Sequence, residues 1–328
     1  AGKVTNCQLA VSLAVATKTA QLPIDMQLYL PQSWTQDLDR RRLVKIPDDV
    51  PFLTKPQIAL EMLTRAHLAG IPLGVVMADA AYGTSSAFRA GIRKLPKHYM
   101  AGVNSTLLVH VVDRKKGLLA PQSLAQLRQK LKPNKWRLYR WRLGSKGVMQ
   151  ARFALLQVRV PDDEEDWTVW LVIQQIGEKD QPYKYYLCSL PAQTPRLRLV
   201  YLAKARWTTE QMYMECKEEL GLDHYEGRSY PGWNHHVSAV LACYALVVAC
   251  RERAFSPCGQ RACQNGAYSG AQAAPSTRLH GDDVRSLWQS AFGLAASVPS
   301  LPPRGRLRAH SALASMVGSP PSSTGVTQ

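Results

Sequence analysis

The chain has 328 residues, 46% of them hydrophobic, which is enough for one large or two smaller packed domains. Its formal net charge is +17, and a folded chain this basic points to a polyanionic partner, nucleic acid being the commonest. The seven cysteines form no disulfide framework, and no second pair or His-x-x-x-His follows Cys258 and Cys263, so zinc and an oxidising compartment are both disfavoured.

The first segment mimics a signal peptide, but Gln8 to Thr17 mixes small, polar and β-branched residues and reads as a strand. Residues 4–31 therefore predict two strands joined by a short polar turn. Residues 33–53, with "DLDRRR" and two prolines, predict a charged connector. A helix follows from Lys55 to Leu68, with Pro56 in its first turn and Gly70 closing it. "IPLGVVMADAAYG" then reads as an apolar strand, Leu73 to Ala78, ending at Asp79. Thr84 or Ser85 caps the next helix, and "HYMAGV" supplies another strand. Strand, loop and helix alternate here, which argues for an α/β sheet.

Residues 106–195 alternate with period two in several stretches and predict an antiparallel β-rich insertion. In "RLYRWRL", Arg137, Tyr139 and Trp141 share one strand face, with Trp136, Leu138, Arg140 and Arg142 on the other; such a strand could line a DNA groove. Helical patterning returns from Leu197 to Arg253. Within it, "VSAVLACYALVVAC" is too short to span a bilayer and reads as a buried helix, so no membrane partner is expected. The tail, 256–328, is dominated by Ala, Ser, Gly and Pro and predicts disorder.

Two carboxylates stand out. Asp79 lies at the carboxyl end of a strand, where α/β sheets bind ligands and where an oxygen donor can hold a hard cation; the ordinary alternative is a turn Asp bonding to nearby amides. Glu210 lies on the helix "RWTTEQMYMECKEEL" in a stripe with Arg206, Tyr213 and Lys217, opposite the polar face of Gln211, Glu215, Glu218 and Glu219. A charged stripe on the expected core side suggests a groove entered by something charged, a metal at Glu210 and phosphates at Arg206 and Lys217. "HYEGRSYPGWNHH" interleaves basic and aromatic residues, including Arg228 and Trp233, in a way that suits nucleic-acid contact. Neither a Gly-rich phosphate loop nor a Gly-x-Ser-x-Gly elbow occurs.

"VVMADAAYG" followed by "ARWTTEQMYMECKEELGLDHYEGRSYPGWNHH" resembles the DDE transposases of bacterial insertion sequences, in the branch whose ribonuclease-H-like domain carries a β-rich insertion between the second Asp and the Glu. "LYLPQSWTQDLDRRR" and "TKPQIALEMLTRA" resemble the same branch, so the likeness covers residues 1–254. The resemblance implies an α/β, ribonuclease-H-like domain from 1–105, an insertion at 106–195, closing helices at 196–254 and a tail at 256–328. It makes Asp79 and Glu210 the catalytic and metal-binding carboxylates, holding Mg²⁺ (two ions in a complete site, with Mn²⁺ as substitute), and Arg206 and Lys217 DNA contacts, to which the basic and aromatic pattern adds Arg228 and Trp233. The family's Tyr-x-x-Arg-x-x-x-Glu-x-x-x-x-x-x-Lys signature maps onto Arg206, Glu210 and Lys217, with Ala203 in place of the Tyr. The family's first Asp belongs on a strand upstream of Val4, and Asp25 does not fit it, so an N-terminally truncated fragment with impaired cleavage is expected. The implied partners are transposon-end and target DNA and a second copy in synapsis, in a bacterial cytoplasm at the nucleoid. The competing expectation is a DNA-binding remnant without chemistry.

Overall fold

The computed structural model describes residues 7–254, apart from breaks at 18–19, 114, 145–146, 162, 164–165 and 178–181. The tail from 256 and the strand start near Val4 lie outside the described residues. The chain divides into two compact units.

Among the described residues the first unit comprises 7–52, 62–72 and 211–254. Its strands β1 (Ala10–Ala16) and β2 (Gln21–Leu28) pair antiparallel, joined by the predicted short turn. The connector expected after them is structured. Helices α1 (Gln32–Thr35) and α2 (Leu38–Leu43) form there, and Asp37 caps α2 by accepting from the Arg40 amide. "DLDRRR" reads as solvated charge, yet Arg41 is buried, and its guanidinium donates to the carbonyls of Thr35, Pro47 and Val50. One cation thus ties together three backbone carbonyls of this segment.

Helix α3 (Lys55–Leu68) has the predicted bounds, and Gly70 at φ +74° lets the Ile71 amide return to the Ala66 carbonyl. Its Arg65 pairs with the buried Asp25 of β2 at 2.8 Å.

Among the described residues the second unit comprises 53–61 and 73–210. Strand β3 (Val76–Ala78) is shorter than predicted; it is followed by α4 (Ala80–Gly83), α5 (Ser86–Lys94) and β4 (Tyr99–Val103). Ser85 caps α5 through the Phe88 amide, as the sequence suggests. Next come β5 (Leu108–Asp113), β6 (Gly117–Leu118), β7 (Gln122–Ser123), α6 (Leu124–Lys130), β8 (Trp136–Gly144), β9 (Gly147–Arg159), β10 (Val169–Gln175) and β11 (Tyr183–Cys188). Helix α7 (Arg196–Ala205) closes the series.

β3 and β4 are parallel, and β11, β10, β9 and β5 follow antiparallel in one nine-stranded sheet. The fold is mixed α/β, the class that the resemblance implies. The β-rich stretch is no separate layer, because β11 hydrogen-bonds β4 and makes the insertion a continuation of the same sheet. α7 covers it by burying Leu199, Val200 and Ala203 against Met100, Phe153, Trp170, Val172 and Cys188.

Helix α8 (Trp207–Glu218) begins in the second unit and runs into the first, and α9 (Tyr230–Ala254) lies in the first. The run Val237 to Cys250, expected to be too short for a bilayer, proves to be part of the longer helix α9. This helix has 25 residues and is the one helix among the described residues long and apolar enough to cross a membrane. Such a helix is weak grounds for a span, and Trp233, Val237, Val240, Leu241 and Tyr244 bury one face of it in the core.

The most buried ion pair in the second unit joins α5 to the loop after β9. Arg89 is 1% exposed, its Nε donates to Asp163 Oδ1 at 3.2 Å, and its Nη1 donates to the carbonyls of Gly83 and Thr84. Removing one partner of such a pair leaves an uncompensated buried charge. Asp163→Ala is therefore expected to lower unfolding free energy in urea titrations by about 3–5 kcal/mol. A change below about 1 kcal/mol would contradict the burial of this pair.

Candidate active site

Asp79 sits at the carboxyl end of β3 and caps α4, its Oδ1 accepting from the Ala81 amide at 2.9 Å. The turn reading of this residue is thus correct in geometry, and it leaves Oδ2 without a hydrogen bond among the described residues. The strand must bend sharply here, and two glycines permit it. A Cβ on Gly83 would lie 2.1 Å from the Gly102 carbonyl oxygen and 2.6 Å from Ala101 Cβ. A Cβ on Gly102 would lie 3.0 Å from the Ala80 nitrogen and 3.2 Å from the Asp79 carbonyl carbon. α4 therefore rests directly on β4, with the Asp79 backbone against Gly102.

Gly102 pairs across the sheet with Tyr186 of β11, and Val172 of β10 flanks Tyr186 on its other side. The Tyr186 phenol is pushed up to about 12, chiefly by burial; Arg206 opposes the shift and the Glu210 carboxylate adds to it. Glu210 thus lies within electrostatic reach of Tyr186. Backbone contact at Gly102 and strand pairing at Tyr186 link the Asp79 turn to the start of α8. Sequence reasoning misses Tyr186, because "YKYYLC" reads as an ordinary strand and nothing local ties it to either acid.

Arg206 holds Glu210, Nη2 to Oε1 at 2.6 Å, and the second carboxylate oxygen has no hydrogen bond among the described residues. The pair is half-exposed, with side chains 34% and 53% accessible. Beside it, the Lys204 ammonium donates to Gln174 Oε1 at 3.2 Å. Burial and the Lys184 charge lower its pKa, while Glu210 partly restores it. Trp207 lies under the Arg142 guanidinium at 3.9 Å.

Three expectations need correction. The charged stripe of α8 is not its core face. Thr209, Met212 and Cys216 are buried, while Glu210 and Lys217 are exposed, so the stripe borders the core about a quarter turn away. Trp233 is 6% exposed, packed with Val237, Leu241, Met26, Leu28, Leu222 and Tyr225, and so supports the core instead of offering a ring to DNA. Arg142 does not share a face with Trp136. The register shift between Arg140 and Arg142 is a bulge, and it turns Arg142 toward α8 while Trp141 meets Lys204 of α7. Arg228 is exposed, as expected.

Among the described residues no group of three His, Cys, Asp or Glu side chains could hold a metal ion. Asp79 and Glu210 each keep one oxygen without a hydrogen bond, and their oxygen-only chemistry fits a hard divalent cation. Their number falls short of a three-carboxylate set. Asp25 is committed to Arg65.

The candidate site thus comprises one acidic side chain at a strand end and one on the later helix α8. Residues 1–148 match the family described as DDE superfamily endonuclease. A curated relative from Microchaete diplosiphon, named "Probable transposase for insertion sequence element IS701", is 23% identical over 257 residues, 78% of this chain and 60% of the relative. The chain is thus similar to DDE superfamily endonucleases over residues 1–148 and, more distantly, to that relative. It spans about 60% of the length of the curated relative that it matches. Endonucleases of this superfamily generally depend on divalent metal ions.

Two measurements check this geometry. Gly83→Ala has no room to relax against backbone and should cost about 1–3 kcal/mol of stability in urea titrations; a neutral substitution would contradict the close seat of α4. The buried Tyr99 and Tyr186 phenols are both raised from near 10 to about 12. In the unfolded chain they lose protons near pH 10, in the folded protein only near 12, so stability should fall as pH rises through that window. Tyr186→Phe should make that alkaline loss shallower, and an unchanged slope would contradict the burial of the phenol.

Proposed function

We propose that this chain is the catalytic core of a DDE transposase, acting on DNA by metal-dependent strand cleavage and strand transfer at insertion-sequence ends. The observation that carries the reading is the path from the Asp79 turn through Gly102 and Tyr186 to Glu210. It links two acids far apart in sequence, one at a strand end and one at a helix start.

In this reading Asp79 and Glu210 would hold the divalent metal, Mg²⁺ or Mn²⁺, through the oxygens that carry no internal hydrogen bond. When bound, two such ions supply activation of the attacking oxygen and stabilisation of the leaving oxygen. The rest falls to the protein. Arg206 holds the Glu210 carboxylate in place, and its positive charge also attracts a phosphate. The buried, neutral Tyr186 phenol keeps water from beneath the site without adding charge. Exposed Lys217 and Arg228 provide further phosphate contacts. Synapsis of two ends by a homodimer, at the nucleoid of a bacterial cytoplasm, belongs to the same reading.

A second reading is a DNA-binding protein without chemistry. It is favoured by the lack of a third acid beside the pair among the described residues. Iron(II) in place of magnesium, with peroxide and ascorbate, separates the two, because bound iron cleaves the nearby backbone. Cuts near both residue 79 and residue 210, lost in Asp79→Ala and in Glu210→Ala, are expected, with DNA binding retained in both variants. Where Mg²⁺- or Mn²⁺-dependent nicking is measurable, the same variants should lower it by orders of magnitude. DNA binding without such cuts would leave the second reading standing, and cuts at one residue alone would refute the shared site.

A further inference from the structure

The nine-stranded sheet carries a second basic centre that the catalytic reading does not use. Where β8 and β9 meet the start of α7, a cavity of about 200 Å³ is lined by Asn134, Lys135, Arg137, Tyr139, Phe153 and Leu155, with Arg196 at its rim. Three cationic side chains converge on it and no carboxylate lines it. Arg137 and Arg196 make no ion pair among the described residues, although exposed acids elsewhere do recruit arginines, as Asp37 recruits Arg40. Like charges gathered without a counter-ion repel one another, so such a cluster is stabilised by an anion from outside.

The cavity wall is rigid. Tyr139 and Trp141 both meet the buried Phe153 ring edge-on, at 5.9 Å each, so the strand under Arg137 is held by packing. The cluster also continues along α7. Lys204 lies eight residues after Arg196, about 12 Å along the helix, and sits over the Trp141 ring at 5.3 Å. Arg206 and Glu210 follow at the end of the same path. Cations spaced along a seam, with aromatic rings between them, match a polynucleotide backbone better than an isolated small anion.

We propose that the Lys135, Arg137 and Arg196 cavity is a backbone-phosphate subsite for a DNA strand that runs along the β8–α7 seam toward Arg206 and Glu210. This rests on the DNA reading above and adds where the strand is held. The bound phosphate accepts from the two guanidinium groups and the ammonium, and Lys204 meets the strand further along. The bulge at Trp141 matters here, because it turns Arg142 onto Trp207 and keeps it out of the seam.

The test is equilibrium binding of a fluorescein-labelled DNA duplex to the full chain over a series of salt concentrations. Three proteins are compared: wild type, Arg137→Gln/Arg196→Gln, and the charge-matched control Arg42→Gln/Lys45→Gln, whose residues lie on the surface near α2. Each phosphate that the protein no longer neutralises should reduce the slope of log affinity against log salt by about 0.9. In the cavity variant the slope is expected to fall by about one to two such steps, with an unchanged melting temperature, and the control should keep the wild-type slope. A wild-type slope in the cavity variant, or an equal fall in the control, would overturn the subsite while leaving the DNA reading intact. A wild-type chain that binds no duplex even at low salt would overturn both.

Discussion

The seat of Asp79 depends on a close approach made possible by two missing side chains. α4 lies so close to β4 that a Cβ on Gly83 would fall 2.1 Å from the Gly102 carbonyl oxygen, and Gly102 in turn faces the Asp79 backbone. A Cβ on Gly83 has no room without moving backbone, and one on Gly102 would press on the Asp79–Ala80 backbone at 3.0–3.2 Å. Asp79 then secures the turn itself by accepting from the Ala81 amide. One carboxylate oxygen is used to build the turn and the other projects from it, so the same residue can be both a cap and a ligand. Arg89 fastens the far end of this short helix, and Asp163 of the β-rich stretch neutralises Arg89. The insertion is therefore bound into the support of the Asp79 turn, which explains why it continues the sheet instead of forming an appendage.

The α/β elements around Asp79 are legible in the sequence because their signals are local. The caps at Asp79 and Ser85, the α3 bounds and the glycine stop at Gly70 each depend on residues within a few positions. What is not legible is what depends on distant partners. "DLDRRR" looks like a solvated connector, since nothing nearby shows that Arg41 will find three inward carbonyls. "PGWNHH" looks like a nucleic-acid surface, since the burial of Trp233 is decided by Met26 and Leu28, some two hundred positions earlier. Arg142 falls on the wrong side because period-two reasoning assumes an unbroken ladder, and a bulge carries no clear mark in "RLYRWRL". The residues of the candidate site follow the same rule: Asp79 and Glu210 announce themselves by position, whereas Tyr186, which links them, is one tyrosine among several in "PYKYYLC".

The charged stripe on α8 has a physical account different from the one its periodicity suggests. If Arg206, Glu210 and Lys217 faced the core, their desolvation would cost several kcal/mol with little return. The helix instead buries Thr209, Met212 and Cys216 and leaves the charged residues along the border of that face. There the Arg206–Glu210 pair is half in water, and an i,i+4 pair in that setting adds only a few tenths of a kcal/mol. Stability alone gives no reason for it. Glu210 interacts electrostatically with both Tyr186 and Lys204 as well as with Arg206.

A carboxylate in such a basic neighbourhood faces two opposing demands. The nearby cations would draw a polyanion toward it, but they also occupy oxygens that a divalent metal would need. The arrangement resolves this by uneven sharing. Arg206 takes Oε1 alone, Lys204 is turned away to Gln174, and the buried phenol beneath is neutral. One oxygen of Glu210 thus has no hydrogen bond among the described residues, as one oxygen of Asp79 has none, which is what the proposed metal and phosphate contacts would require.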